Sequence, residues 1–302
     1  TGKLTVPKIG VINTFDGIKQ FTRLESRRIE EFGQYKSHYF IKNVTISRDS
    51  DNCWYASILT CVKRTNKLMN RYNPTGKTCG IDVGIKSSYT LVDTDGKVII
   101  NNIPDTLAKL EKKLAKYQRE YDIKLTAARK RAKLLLGPNA KVKDLPCKNL
   151  AKAKTKLGKI HYRIKQIRKN FLHQESHRIA RDYDIVTMET LDIQSMMKND
   201  KLAKSIGQQG WYMFKTFIRY KLNWNYKTLI EVDKWFPSSQ LCSNCHTQNN
   251  QLGSASEWTC PSCSTYHSNR DINAATVLNK ISNHYLTTGQ TVLSLPAFSV
   301  VV

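Results

Sequence analysis

Four cysteines in the last third of the chain form the clearest metal-binding pattern in the sequence. Cys242 and Cys245 make one C-x-x-C pair, and Cys260 and Cys263 make a second pair after a gap of 14 residues. Each pair can present two thiolates to one ion, and Zn²⁺ prefers four ligands in a tetrahedral arrangement. A complete set of four cysteines leaves no position open for water, so the pattern predicts a structural zinc site in an insertion spanning residues 236–268.

The competing interpretation is four structural thiols without a metal, which the close spacing of two such pairs disfavours. His246 and His267 lie beside the pairs, and we expect both on the surface rather than among the ligands. In a reducing compartment such pairs indicate metal binding rather than disulfides. Four further cysteines are scattered, and we expect ordinary thiols at these positions: Cys53, Cys61, Cys79 and Cys147.

Three carboxylates on separate elements form a second set of candidate residues. Asp82 lies within a short apolar strand, where an ionised group is costly unless it is paired or bound to metal. Glu189 ends a second apolar strand, and Asp271 begins a helix just after the cysteine pairs. Together they suit Mg²⁺ or Mn²⁺, hard ions that take oxygen ligands. Two such ions can hold the attacking water and the leaving oxygen of a phosphodiester.

Each of these carboxylates also has a simpler explanation. Asp82 could pair with a lysine, and Glu189 could be a solvated strand end. Asp271 could cap the helix that it begins. The three side chains can form a shared site only if their elements bring them together.

Strands and helices alternate from Thr78 onward in the order β-β-β-α-β-α-β, followed by the cysteine pairs and a last helix. This order predicts an α/β fold, in which sites form at the carboxyl ends of parallel strands. We expect Trp211, Phe214 and Trp224 in the core of a helix that backs the sheet. The predicted segments are Cys79–Gly84, Ser88–Asp93, Lys97–Ile100, Asp184–Glu189, Trp211–Asn225, Thr228–Asp233 and Asp271–Ile281.

Residues 104–181 are predicted to form a basic helical hairpin inserted in this unit. Apolar residues recur at heptad spacing on both sides of Gly137-Pro138-Asn139, which indicates two antiparallel helices packed along a seam. Residues 107–181 hold 23 Lys and Arg against 5 Asp and Glu, within a chain of net charge +25. Such an excess implies a polyanionic partner, and nucleic acid is the first choice. The alternative is a solvated helix face.

Residues 1–75 are predicted to be β structure, with a hairpin formed by Tyr39–Ser47 and Trp54–Val62 and a further strand over Leu4–Ile12. No run of 18 apolar residues is present, so we expect no membrane span. No signal peptide opens the chain, so we expect a cytoplasmic, nucleoid-associated protein. No pattern indicates a small-molecule substrate.

Taken together, these residues resemble the TnpB family of transposon-encoded, RNA-guided DNA nucleases, which are related to type V CRISPR effectors. The resemblance implies an RNase H-like (RuvC) mixed sheet over residues 76–302, with the basic hairpin and a zinc ribbon inserted, preceded by a partial β-barrel. It implies that Asp82, Glu189 and Asp271 are the catalytic carboxylates and that the four cysteines hold the ribbon zinc. The segments that carry it are Gly80–Gly84, Phe171–His173, Ile185–Leu191, Met197–Asn199, Lys201–Ile206, Trp235–Cys245, Trp258–Cys263 and Asn269–Ala275.

The resemblance also implies partners and a departure from the family pattern. A guide RNA and a DNA substrate are expected, with Mg²⁺ or Mn²⁺ as the catalytic metal. Family members carry an N-terminal stretch before the position of Thr1, and we expect this chain to lack it. Two alternatives remain open: an inactive relative that binds DNA through a guide RNA and represses transcription, and an inert transposon remnant.

Overall fold

A computed structural model of the chain describes residues 2–6, 10–14, 39–51, 53–62, 74–145, 147–198, 203, 206–207, 209–289, 293–295 and 298–300. The chain divides into two compact units, Thr1–Arg71 and Tyr72–Val302. The segments Met197–Asn199 and Lys201–Ile206, which contribute to the family resemblance, lie partly outside the described residues.

The described residues of the first unit form two antiparallel hairpins. The predicted hairpin is confirmed: β3 (Tyr39–Arg48) pairs with β4 (Trp54–Val62). The prediction of one strand over Leu4–Ile12 is wrong, because two paired strands are present, β1 (Gly2–Val6) and β2 (Gly10–Thr14). The sequence places Pro7 between them, and a proline cannot donate a hydrogen bond within a strand ladder.

The second unit is built on a five-stranded mixed sheet with the order β7-β6-β5-β8-β9. The central strand, β5, runs antiparallel to β6 and parallel to β8, and β9 is parallel to β8. The predicted strands and the mixed α/β class are confirmed. Their bounds are Thr78–Asp82 for β5, Tyr89–Asp93 for β6, Val98–Asn101 for β7, Ile185–Glu189 for β8 and Thr228–Val232 for β9.

Helices cover both faces of this sheet. Their bounds are Asp105–Leu136 for α1, Lys148–Asp182 for α2, Ile193–Met196 for α3, Trp211–Trp224 for α4 and Arg270–Thr288 for α5. A 3₁₀ turn spans Val142–Asp144, and short strands pair as β10 (Trp258–Thr259) with β11 (Tyr266–His267) and as β12 (Leu293–Leu295) with β13 (Phe298–Val300). None of the helices in the described ranges combines the length and apolarity that crossing a bilayer requires.

The two faces of the sheet have separate cores. The helices α2 and α4 pack on the face that carries Ile81 and Met188. The opposite face packs on α5, where Ile185 and Val232 contact Leu278. Successive strand residues point to opposite faces. Asp82 therefore lies on the α5 face, one residue after Ile81, and Glu189 lies there one residue after Met188.

The helices α1 and α2 pack on each other as an antiparallel hairpin, as the heptad pattern predicts. Leu107, near the start of α1, belongs to a small core that also contains Ile160 and Ile164 of α2. Glu111, in the first third of α1, lies 4.0 Å from Arg168, in the second half of α2, which fits the antiparallel direction. The hairpin is thus two helices of 32 and 35 residues that carry their charge around a narrow apolar seam.

Candidate carboxylate site and cysteine cluster

Helix α5 lies directly on β5 because Gly80 has no side chain. A Cβ atom at Gly80 would stand 2.1 Å from the backbone oxygen of Ala275 and 2.2 Å from the backbone nitrogen of Asn279. No other residue type allows this approach without moving the helix. The glycine at this position therefore sets the distance between the strand that carries Asp82 and the helix that carries Asp271.

A buried polar ladder fixes the register of α5 along the sheet. Thr78 Oγ1 donates to Asn279 Oδ1 at 2.8 Å, and the hydroxyls of Thr187 and Ser282 lie 2.6 Å apart. Ser282 also donates to the backbone oxygen of Cys79 at 3.1 Å. Buried polar groups must be paired, so a slip of the helix would leave several of them unsatisfied.

This register brings the start of α5 to the carboxyl end of β5. From Asn279 back to Asp271 the helix covers about 12 Å at 1.5 Å per residue. From Thr78 forward to Asp82 the strand covers about 13 Å at 3.3 Å per residue. Because Asn279 lies beside Thr78, these similar lengths place Asp271 near Asp82.

Asp82 and Glu189 end neighbouring parallel strands. Ile81 is opposite Met188 in the register, so the two carboxylates follow at equivalent positions. Burial is the largest cause that raises the pKa of Asp82 well above its ordinary value, and the charges of Glu189 and Asp271 raise it further. The structure therefore brings the three predicted carboxylates into electrostatic contact at one edge of the sheet.

The simpler explanations for these residues do not fit the geometry. The cap of α5 is Asn269, whose side chain accepts from the backbone nitrogens of Asp271 at 2.8 Å and Ile272 at 3.3 Å, so Asp271 is not the helix cap. Glu189 is half-buried, and burial is the largest cause that raises its pKa, so it is not a fully solvated strand end. Within the described ranges no lysine lies within salt-bridge distance of Asp82.

Two further residues act on this site and were not identified from the sequence. The Ser238 hydroxyl donates to Glu189 Oε1, and Ser238 is itself buried. The charge of Arg270 lowers the pKa of both Asp82 and Glu189, which partly offsets the effect of burial. Arg270 adjoins Asp271 in the sequence, and this adjacency is the one sequence signal that could have placed Arg270 at the site. Ser238 could be found only from the fold.

The four cysteines meet more tightly than the carboxylates do. Their sulfur atoms all lie within 4.8 Å of one another, and they are the only group of three or more potential ligands that does so among the residues the structure describes. Cys242 and Cys263 Sγ are 3.7 Å apart, and Cys245 and Cys260 Sγ are 3.5 Å apart. Four thiolates at 2.3 Å from one zinc stand roughly 3.8 Å from each other. The cluster therefore fits a tetrahedral zinc.

The surroundings of the cluster correct one expectation and shift the pKa values of its thiols in different directions. His267 is buried rather than on the surface, with Nε2 3.3 Å from Cys242 Sγ and its ring 4.5 Å from that of Trp258. His246 is half-buried. A hydrogen bond from the Thr265 side chain is the largest cause that lowers the pKa of Cys263 to about 5, whereas burial raises the pKa of Cys242 to about 12.

Two aromatic predictions are confirmed and one is wrong. Trp211 and Phe214 are both buried, and Phe214 belongs to the core between α4 and the sheet. Trp224 ends α4 and is 69% exposed, because the apolar stripe of the helix ends at Leu222. Trp224 contacts Tyr220 edge to face with ring centroids 4.6 Å apart.

We expect one zinc ion per chain after purification without chelator, since four sulfurs already stand at the spacing of a tetrahedral site. Cys260→Ser should lower the zinc content and the melting temperature together, because structural zinc contributes directly to folding. Cys147→Ser, at a cysteine outside the cluster, is the matched control and should change neither. Elemental analysis by plasma mass spectrometry measures the ratio. A folded parent chain without stoichiometric zinc would contradict the assignment.

Comparisons with known proteins agree on one family. A family model described as "Probable transposase" (OrfB_IS605) matches residues 59–200, and one described as "Cas12f1-like, TNB domain" matches residues 211–278. The first range includes β5 to β8 with the helical hairpin, and the second includes α4, β9, the cysteine pairs and the start of α5. These matches define a class of transposon-encoded proteins and their CRISPR-associated relatives.

Curated relatives carry the same indication. A protein of Streptomyces pristinaespiralis named "Putative RNA-guided DNA endonuclease" is 33% identical over 233 residues, which cover 77% of this chain and 50% of that protein. The InsQ protein of Escherichia coli, with the same description, is 26% identical over 84% of this chain and 60% of its own length. The chain spans about half the length of the curated relatives it matches. The chain belongs to the TnpB family.

A solved complex of Cas12f1 with sgRNA and target DNA is also similar. It shares 17% identity at a TM-score of 0.42, and the match covers 78% of this chain and 55% of that one. This likeness is too distant to bear on the site.

Proposed function

We propose that this chain is the nuclease part of an RNA-guided DNA endonuclease of a transposable element, with an RNase H-like (RuvC) core. The observation that carries the proposal is the convergence of Asp82, Glu189 and Asp271 on one face and one edge of the mixed sheet. The proposed organisation is a partial β-barrel over residues 1–75 and a nuclease domain over residues 76–302, which includes the hairpin at 104–181 and the zinc ribbon at 236–268.

The chain's own residues prepare a concentrated negative charge for a metal. Burial and mutual repulsion raise the pKa of Asp82, so a divalent cation bound there would relieve an existing cost. Mg²⁺ or Mn²⁺ held by the three carboxylates would supply an activated water and charge stabilisation for phosphodiester hydrolysis. Ser238 orients Glu189 through its hydrogen bond. In the proposed two-metal mechanism, the three carboxylates would hold two such ions.

The cysteine cluster supports the carboxylate site through α5. Asn273 Nδ2 donates to the backbone oxygen of Leu241 at 2.7 Å, and the backbone nitrogen of Ser243 donates to Asn273 Oδ1 at 2.9 Å. Lys280 also donates to the backbone oxygen of Ser243. These contacts join the first cysteine pair to the helix that begins beside Asp271. We infer that the zinc is structural and that its loss displaces the third carboxylate.

The proposed partners are a DNA substrate and a guide RNA. The relatives' names state RNA-guided action on DNA for those proteins, and the basic hairpin of this chain provides a surface for either nucleic acid. A folded hairpin with 23 Lys and Arg in residues 107–181 repels itself unless a polyanion neutralises it. An inactive, DNA-binding relative remains the rival function, and the presence of all three carboxylates disfavours it.

The proposed function is tested by cutting assays on the chain purified with any RNA that accompanies it from the host. We expect cleavage of single-stranded and duplex DNA with Mg²⁺ or Mn²⁺. Ca²⁺ should support binding with little cutting, because its looser coordination positions water poorly. Cutting that is undiminished when Ca²⁺ is the only added divalent ion would contradict the mechanism. Sequence-specific binding without cutting under any metal would favour the repressor function.

We expect the basic hairpin to provide most of the affinity for nucleic acid. Reversal of four exposed lysines to glutamate, at Lys112, Lys116, Lys152 and Lys159, should weaken binding to all sequences. The salt dependence should also flatten by roughly 0.9 in log–log slope for each duplex phosphate that the variant no longer neutralises. Affinities measured across a salt series give the slope. Arginine at the same four positions is the control, because it keeps the charge. An unchanged slope in the glutamate variant would contradict the prediction and favour a solvated helix face that does not bind nucleic acid.

A further inference from the structure

The loop after β9 leaves the sheet beside Glu189 and returns to the same residue. Val232, the last residue of β9, is opposite Glu189 in the strand register, and its oxygen accepts from Thr190 N at 2.9 Å. Six residues after Val232, the Ser238 hydroxyl donates to Glu189 Oε1. Both ends of the loop at 233–237 are thus held at one candidate metal ligand.

Trp235 stands at the middle of this loop and is 79% exposed. The loop is ordered by Asp233, whose carboxylate accepts from Trp235 N at 2.8 Å and whose backbone oxygen accepts from Phe236 N at 3.0 Å. The next side chain, Phe236, packs against the core under α5. A large apolar ring is therefore held in solvent by a fixed turn, where it lacks the stabilisation that burial of an apolar side chain provides.

A cation accompanies this ring. Lys234 Nζ lies 5.1 Å from the centroid of the Trp235 ring and 3.5 Å from a carboxylate oxygen of Asp192. Asp192 follows Glu189 by three residues, so the ion pair joins the loop after β8 to the loop after β9. The ammonium group is held at the edge of the sheet where the three carboxylates lie, and 41% of the Lys234 side chain remains exposed.

Resting on the proposed nuclease function, we propose that Trp235 and Lys234 form a binding subsite for one unpaired base of single-stranded nucleic acid beside the carboxylate site. An isolated exposed ring can stack on a base only when that base is free of its own duplex neighbours, and such stacking tolerates any base. Lys234 supplies a positive charge for the adjoining phosphate. Trp235 lies three residues from both Val232 and Ser238, so its backbone is within about 11 Å of each.

Position distinguishes this tryptophan from the other exposed tryptophan of the second unit. Trp224 ends α4 and precedes the first residue of β9, whereas Trp235 follows the last residue of β9. Five strand residues separate the two edges by about 16 Å. Trp224 is 69% exposed, so it offers the same side chain at similar exposure but at the edge opposite the carboxylates. It is therefore the matched control.

The test measures binding of a ten-nucleotide single-stranded oligothymidylate by fluorescence anisotropy, without added divalent metal so that no cutting occurs. We expect Trp235→Ala to weaken binding roughly fivefold to 100-fold, the range for loss of one stacked base. Trp235→Phe should retain most of the affinity, and Trp224→Ala should stay within about twofold of the parent. Ultraviolet crosslinking of the same oligonucleotide carrying 5-iododeoxyuridine should join it to the peptide that contains Trp235.

Equal effects of Trp235→Ala and Trp224→Ala, or a crosslink that avoids the Trp235 peptide, would overturn the subsite. Melting temperatures separate a folding defect from a binding defect, and an exposed side chain should leave them unchanged. A parent chain that crosslinks at Trp235 but never cuts DNA with Mg²⁺ would remove the nuclease function and leave the subsite. If the parent chain cuts DNA and Trp235→Ala binds and cuts DNA as well as the parent does, the nuclease function stands and the subsite is overturned.

Discussion

Asp82→Asn is expected to reduce the rate of DNA cutting by at least about a thousandfold and to leave DNA binding within about twofold of the parent. The change keeps the shape of the side chain and removes one negative charge from the site at the end of the central strand. Metal-ion catalysis contributes several kcal/mol of transition-state stabilisation, and about 4 kcal/mol corresponds to a thousandfold in rate. Single-turnover cutting of bound DNA with Mg²⁺ measures the effect.

Asp95→Asn is the matched control for this variant. Asp95 lies on the turn after β6, where its 59% exposed side chain pairs with Lys77 at the surface. Exposed ion pairs contribute little to stability, so this variant should cut at the parent's rate. Equal losses in the two variants, or undiminished cutting by Asp82→Asn, would contradict the assignment.

The same variant has a predicted effect on stability. The pKa of Asp82 is raised in the folded chain, so its ionised form destabilises the fold at pH values above its unfolded pKa. An amide removes that cost. Without divalent metal at neutral pH, we therefore expect Asp82→Asn to melt at or above the temperature of the parent. Loss of cutting together with a higher melting temperature would separate chemistry from folding.

Gly80→Ala is expected to destabilise the second unit by about 3 kcal/mol or more and to abolish cutting. The added Cβ would meet the backbone of α5 at 2.1 Å from the oxygen of Ala275, and backbone cannot rotate away as a flexible side chain can. The helix must then move off β5, which breaks the ladder from Thr78 to Asn279 and shifts Asp271. Denaturant unfolding and the cutting assay measure the two effects.

Gly207→Ala is the control for the glycine substitution. Nothing lies within 4 Å of a Cβ at Gly207, and its backbone does not have the positive φ that favours glycine. We expect this variant to be as stable as the parent or slightly more so, because alanine restricts the unfolded chain. If Gly80→Ala were as stable as Gly207→Ala, α5 would not be held against β5 as described.

Much of the second unit could be predicted from the sequence because its strands are short apolar runs between turn residues. Thr228–Val232 and Ile185–Glu189 are buried enough that their β-branched and apolar residues determine their structure. The cysteine cluster was predictable because each C-x-x-C pair can present two thiolates to one ion, so the spacing alone indicates the four ligands. The grouping of Asp82 with Glu189 followed from placing both at the carboxyl ends of strands expected to be parallel.

Contacts between elements distant in sequence could not be predicted in this way. The hydrogen bond from Ser238 to Glu189 joins residues 49 positions apart, and the close approach at Gly80 depends on a helix almost 200 residues later. His267 is buried because the segment that carries the cysteine pairs folds the His267 ring onto Trp258, which the polarity of histidine does not indicate. The prediction that Trp224 lies in the core is wrong because an amphipathic helix pattern does not show where the sheet beneath the helix ends.

The position of the bound metal tests the carboxylate site most directly. Crystals of the chain soaked in Mn²⁺ can be measured at the manganese absorption edge, where anomalous density marks only the metal. We predict density in contact with Asp82, Glu189 and Asp271, and its disappearance in Asp82→Asn crystals soaked in the same way. Manganese bound elsewhere, with none at these three carboxylates at saturating concentration, would contradict the proposed site.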